Sequence, residues 1–249
     1  VGYMPDMDEL SNPIDKFASQ VYSSDQQLIG TWNADNNNRV AIDYNGLSPH
    51  LVHALVATED ERFYEHSGVD FIALGRAVVK RGVMGQASAG GGSTITQQLA
   101  KQLFSEKAHS TVERLLQKPI EWIIAVKLER YFTKEEILAM YFNYFDFLHN
   151  AVGIKRAANV YFNKEPRKLT VTESAMLVGL CKNPSMFNPL RHPERCLQRR
   201  NVVLMQMVKS GYVTKDEYKE LSQRPLGLHF TRSKPVSGAG DYFQAFLRQ

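Results

Sequence analysis

The sequence predicts a mainly α protein with a short β-hairpin near its N-terminal end, and three observations carry that prediction. Apolar residues recur at three- and four-residue spacing through most of the chain after Ser48, which lines up one face of a helix. Thr133-Lys134-Glu135-Glu136 and Thr170-Val171-Thr172-Glu173 have the form of capping boxes, and Thr214-Lys215-Asp216-Glu217 offers a third N-cap. Residues 1–47 read otherwise, as short extended pieces separated by polar turns.

In that N-terminal unit, Gln20-Val21-Tyr22-Ser23 and Leu28-Ile29-Gly30-Thr31-Trp32 flank the turn Ser24-Asp25-Gln26-Gln27. Val40-Ala41-Ile42-Asp43-Tyr44 adds an extended piece that stops at Asn45-Gly46. From 48 to 225 the punctuation is helical. Ser48 stands as N-cap with Pro49 at the first helical position, and Val52, Leu55, Val56 and Glu59 share a face. A second apolar stretch, Val69 to Met84, carries Phe71, Ile72, Val79 and Val83 beside Arg76, Lys80 and Arg81, and runs into the low-complexity Gly85–Gly92. Such a face fits a lipid interface, although burial in a core is the commoner fate. Helical spacing then holds over 94–104, 111–131, 134–144, 153–161, 172–180, 193–209 and 215–221. Residues 226–249 read as a linker toward a further domain.

With 249 residues, 43% of them hydrophobic, the chain can bury a core as one domain or a domain plus a fragment. Thirty Lys and Arg against 26 Asp and Glu leave a net charge of +4, too small and scattered for nucleic acid but compatible with an anionic ligand or membrane surface. No apolar run approaches the roughly 20 residues of a spanning helix, so the sequence reads as a soluble chain trimmed of any anchor. Cys181 and Cys196, with three prolines between them, leave a disulfide open and favour two free thiols.

Two strings carry candidate chemistry. Glu59 ends the apolar run Leu55-Val56-Ala57-Thr58, where partial burial would raise its pKa toward that of a general base; the plain alternative is an exposed helix-end acid. If the helix continues, Glu59, Phe63 and His66 share a face and His66-Ser67-Gly68 stops it; His66 lacks partners at zinc-like spacing. Downstream, Gly90-Gly91-Gly92-Ser93-Thr94 runs straight into a helix, so amides, hydroxyls and the helix dipole converge on a spot suited to an anion, though without the lysine of a Walker loop. Thr94, Gln97, Gln98 and Lys101 form a polar stripe, equally readable as a solvated face. A third group, Arg114, Gln117, Lys118 and Glu121, sets Glu121 among bulky apolar residues with Lys118 as its natural partner, although Pro119 interrupts the geometry.

These residues resemble, in order and over nearly the whole chain, the peptidoglycan glycosyltransferase module (glycosyltransferase family 51) of class A penicillin-binding proteins and monofunctional transglycosylases. The family's Glu-Asp-x-x-Phe-x-x-His-x-Gly is Glu59, Asp60, Phe63, His66 and Gly68; its Gly-x-Ser-Thr-x-Thr-Gln-Gln appears as Gly92 to Gln98, followed by Lys101. Arg-Lys-x-x-Glu is Gln117, Lys118 and Glu121, with Arg114 one turn earlier in place of the missing Arg. Lys134, Ile137, Leu138, Tyr141 and Asn143 match the fourth motif, and Arg199, Asn201, Val203, Leu204 and Met207 the fifth. Leu148 and Asn150 stand where the family usually has glycines.

The resemblance implies a lysozyme-like helical domain over 48–225 with a small membrane-proximal jaw at about 69–92, and an absent C-terminal domain, a transpeptidase in the class A proteins. It also implies polymerisation of lipid II into glycan strands with inversion at the anomeric carbon and release of undecaprenyl pyrophosphate. In that reading Glu59 and Glu121 are catalytic, Glu121 acting directly or through a divalent cation (Mg²⁺ or Mn²⁺) with no organic cofactor. Asp60, Phe63, His66, Gly92, Ser93, Thr94, Gln97, Gln98, Lys101, Arg114, Lys118 and Asn143 bind substrate. The implied partners are lipid II, the growing strand, the membrane surface and other cell-wall synthesis proteins. The implied place is the outer face of the cytoplasmic membrane in a bacterial envelope. A lytic transglycosylase or lysozyme-like hydrolase, and an inactive glycan- or lipid-binding relic, are the alternatives.

Overall fold

Caps written into the chain set where its helices begin. In the structure, a computed structural model that describes residues 19–22, 28–32, 41–84, 92–104 and 111–231, Ser48 Oγ accepts from the His50 amide and Pro49 opens α1 (Pro49–Glu59). Helices α2 (Phe71–Met84), α3 (Ile95–Phe104) and α4 (Thr111–Tyr131) follow. Full capping boxes at Thr133, Thr170 and Thr214 start α5 (Lys134–Tyr144), α7 (Val171–Lys182) and α9 (Lys215–Gln223), while α6 (Ile154–Phe162) and α8 (Pro193–Lys209) lie between. Ahead of them, β1 (Ser19–Tyr22) pairs antiparallel with β2 (Leu28–Trp32), the hairpin expected from the sequence.

The core gathers around α7, buried from Glu173 to Cys181, with α1 and α8 packed on it and α9 against α8. Helix α5, buried from Ile137 to Tyr144, packs with α4 on α3. Over these spans both helices are buried around their circumference, as helices enclosed by their neighbours are. Cys181 and Cys196 are both free and buried, and burial pushes the Cys196 thiol up to about 12, so it packs as a small apolar group.

Several local expectations are corrected. Tyr44–Gly46 is a 3₁₀ turn, not the end of a strand, because Asp43 caps it by accepting from the Gly46 amide. Asn143 then holds the segment before the turn: its Oδ1 accepts from the Ile42 amide and its Nδ2 donates to the Ile42 carbonyl. Helix α1 stops at Glu59 and does not run on to His66, since Asp60 leaves helical geometry at φ −159° and the chain turns. Pro119 sits inside α4, which continues through it. The chain after α9 returns to α6, the His229 and Thr231 amides donating to the carbonyls of Tyr161 and Val160. Residues 232–249 of the expected linker lie outside the described residues.

Candidate active site

Glu59 owes its position to being the last residue of α1, whose apolar face is locked against α7 and α8. Its two oxygens meet different donors. Gln98 Nε2, from α3, donates to Oε2 at 3.1 Å, and Arg199 Nη2, from α8, lies 3.4 Å from Oε1. Gln98 is itself held by the Tyr141 hydroxyl, which donates to its Oε1 at 3.0 Å. Burial lowers the Arg199 pKa while the Glu59 charge opposes that fall.

The next residue, Asp60, is buried and belongs to a different set of bonds. Its Oδ2 accepts from the Ile95 amide, the first of α3, at 3.0 Å, and both oxygens lie 3.0 Å from His66 Nε2. Thr94 and Gln97 complete that helix start as a capping box. Thr94 Oγ1 accepts from the Gln97 amide, and Gln97 Oε1 accepts from the Thr94 amide. Thr94 also donates to the Gly68 carbonyl at 2.6 Å, and Gly68 adopts φ +95° with α4 backbone pressed against it. Below this corner Phe63 is fully buried under Lys134, whose Nζ sits 4.3 Å from the ring centre and donates to the His66 carbonyl. Asp60, Phe63, His66, Thr94 and Gln97 fix the corner through these contacts, and Asp60 and Thr94 line the cleft as well.

A cleft of about 350 Å³ opens where the end of α1, the corner after it, the first turns of α2, the Gly92–Thr94 segment and the end of α8 meet. Glu59 and Ser93 both line it, as do Arg62, Arg76, Gln206 and Lys209. Arg62 is committed to Glu65 and Asp70, at 2.7 and 3.1 Å. Arg76 and Lys209 are exposed and make no ion pair among the described residues, which leaves two cations available to an anion in the cleft.

Of the residues expected at the site, the cleft lining brings together Glu59, Asp60, Gly92, Ser93 and Thr94. It does not include Glu121. That carboxylate is buried on α4, where Lys118 Nζ donates to its Oε2 at 2.6 Å. Gln98 stands behind Glu59, Lys101 is in the last turn of α3, and Asn143 is occupied with Ile42. The side chain of Arg114 lies outside the described residues. No three His, Cys, Asp or Glu side chains converge on a metal position among the described residues. The expected Glu121 site offers one carboxylate, already held by Lys118, so a divalent cation there would need phosphate oxygens and water to complete its shell. Sequence reasoning missed the roles of Arg199, Tyr141, Arg76 and Lys209. Arg199 was visible in the fifth motif, but 140 positions separate it from Glu59 and no local spacing pairs them.

The family described as Transglycosylase matches residues 25–208. The chain belongs to that family. Penicillin-binding protein 1A of Aquifex aeolicus (strain VF5) is 41% identical over 224 residues, 90% of this chain and 30% of that protein. Its namesake in Escherichia coli (strain K12) is 36% identical over 246 residues, 99% of this chain and 28% of that protein. Penicillin-binding protein 1F of Bacillus subtilis (strain 168) is 38% identical over 212 residues, 85% of this chain and 29% of that protein. The chain thus spans under a third of these relatives. Transglycosylase membership favours glycosyl transfer over the hydrolytic and inert alternatives.

Proposed function

We propose that the cleft polymerises lipid II, with Glu59 as the base. The 4-hydroxyl of one lipid-linked disaccharide attacks the anomeric carbon of the growing glycan from the face opposite the leaving group. Its proton passes to Glu59, the new C–O bond forms, and the old one breaks with its electron pair on the departing undecaprenyl pyrophosphate. A pyrophosphate is a weakly basic leaving group, so no strong general acid is required, whereas a hydrolase must protonate a poor sugar leaving group. Ser93, Arg76 and Lys209 offer a hydroxyl and two cations to pyrophosphate oxygens, while Lys118 and Glu121 assist at the leaving group directly or with a bound divalent cation.

One observation carries this reading: the Glu59 carboxylate shares a cleft with Ser93 and two cations that have no ion-pair partner among the described residues. The setting proposed for it is the outer face of the cytoplasmic membrane in a cell envelope, beside other wall-synthesis proteins and in one chain with an anchor and a transpeptidase domain. Phe71, Ile72 and Val79 of α2 are 70%, 60% and 57% exposed, an apolar face suited to the lipid that carries the substrate. Among the described residues no helix is long and apolar enough to cross a membrane, so contact by this face would be interfacial.

Purified chain incubated with labelled lipid II, with and without Mg²⁺, should yield a ladder of glycan products on a gel, and Glu59→Gln should lower the yield at least about a hundredfold. Cleavage of finished glycan with no growth from lipid II would favour the hydrolase. Replacing Phe71, Ile72 and Val79 with Ser should reduce flotation with liposomes; unchanged flotation counts against the lipid face.

A further inference from the structure

We infer that Tyr141 and Gln98 form a relay that aims the lone pairs of Glu59 into the cleft, Tyr141 being a positioning residue that acts through the Gln98 amide. The inference rests on the role proposed above for Glu59. An ionised carboxylate only accepts hydrogen bonds, so the Gln98 amide must turn its NH₂ toward Glu59 and its oxygen toward Tyr141. The phenol must then donate, and the chain of bonds has one direction. Tyr141 is fully buried, and burial, with the Cys181 thiol and Glu59 charge nearby, holds it protonated far above neutrality; the relay keeps its polarity at any working pH.

The polarity has a chemical consequence. Both described partners of Glu59, Gln98 Nε2 and Arg199, are donors. Once Glu59 holds the substrate proton, neither partner can accept its O–H, so the proton sits toward the cleft and leaves by that side. Without the Tyr141 hydroxyl, the Gln98 oxygen loses its donor and the amide can turn over. It would then repel the carboxylate and accept from the carboxylic acid, favouring the protonated form in which Glu59 cannot take the substrate proton. The ionisable groups facing Glu59 are Tyr141, Cys181 and Arg199 behind it. On the cleft side stand Asp60, Glu61, Arg62, Asp70, Arg76 and Lys209.

The test is the pH–rate profile of lipid II polymerisation for Tyr141→Phe, Gln98→Ala and the double variant. For Tyr141→Phe, kcat should fall about tenfold with KM within about twofold, and the acidic limb should move to higher pH. The double variant should be no slower than Gln98→Ala within a factor of about three, because one residue acts through the other. Gln98→Glu, which keeps the shape, should also raise the acidic limb and serves where Tyr141→Phe does not fold. An unmoved acidic limb, or losses that multiply in the double variant, would reduce Tyr141 to core packing and overturn the relay. Normal polymerisation by Glu59→Gln overturns the relay together with the role of Glu59; an inactive Glu59→Gln beside an unmoved limb overturns the relay alone.

Discussion

Arg199 places its guanidinium 3.4 Å from the carboxylate of Glu59, joining α8 to the end of α1 across 140 positions of chain. The two side chains are only 10% and 17% exposed, so removal of either leaves the other charge poorly solvated. Arg199→Met should cost about 2 kcal/mol, the range for a hydrogen bond to a charged group. In a thermal melt that is a Tm lower by about 4–8 °C for a chain of this size. Polymerisation of labelled lipid II should fall more than about tenfold, because Glu59 loses one of its two anchors. A variant with wild-type Tm and rate would show the pair to be incidental.

Gly68 has no room for a side chain. A Cβ there would lie 2.7 Å from the Ala125 carbonyl carbon, and φ is +95°, so Ala is strained twice over. Gly68→Ala should destabilise the fold by at least about 2 kcal/mol. Chemical denaturation should show a lower midpoint, and the Thr94 bond to the Gly68 carbonyl predicts an accompanying loss of activity.

Leu148, His149 and Asn150 all have left-handed backbones, with φ of 66°, 53° and 60°. Asn150 is exposed, which makes it the clean position for a test. Asn150→Gly should hold or raise Tm, whereas Asn150→Val should lose about 1–2 kcal/mol, since a β-branched residue resists this conformation. Equal melting of the two variants would mean that the turn relaxes.

His53 stacks on Tyr212, with ring centroids 4.1 Å apart and planes 8° from parallel, and burial, aided by nearby His50, lowers its pKa. A depressed histidine binds protons more weakly folded than unfolded. Stability is therefore full above the unfolded value, near 6.5, and declines as pH falls from there through the folded value. Melting from pH 7.5 down to pH 5 should show that decline, and His53→Phe, which keeps the stack, should flatten it. An equal slope in both proteins would remove His53 from the acid response.

Helices and their caps were legible because the signals are local. Thr133 and Thr170 form the capping boxes their spacing announces, and the hairpin strands form on either side of their polar turn. Tyr44 misled because a short apolar run reads as strand, while the Asp43 side chain settles a 3₁₀ turn. The site was legible only in part. The position of Glu59 at a helix end was readable, but its partners Gln98 and Arg199 come from 39 and 140 positions away, beyond the reach of any helical period. The polar stripe on α3 was likewise ambiguous in sequence: Gln97 turns inward to cap its own helix and Gln98 turns toward Glu59.

Asp60 bolts the end of one helix to the beginning of another, so Glu59 and Ser93, each one or two residues from that bolt, are parts of a single rigid bracket. Their spacing is then a fixed dimension of the protein. Arg76 lines the same cleft from α2, a helix that this bolt does not tie, so a substitution on α2 can reshape the cleft without disturbing the bracket.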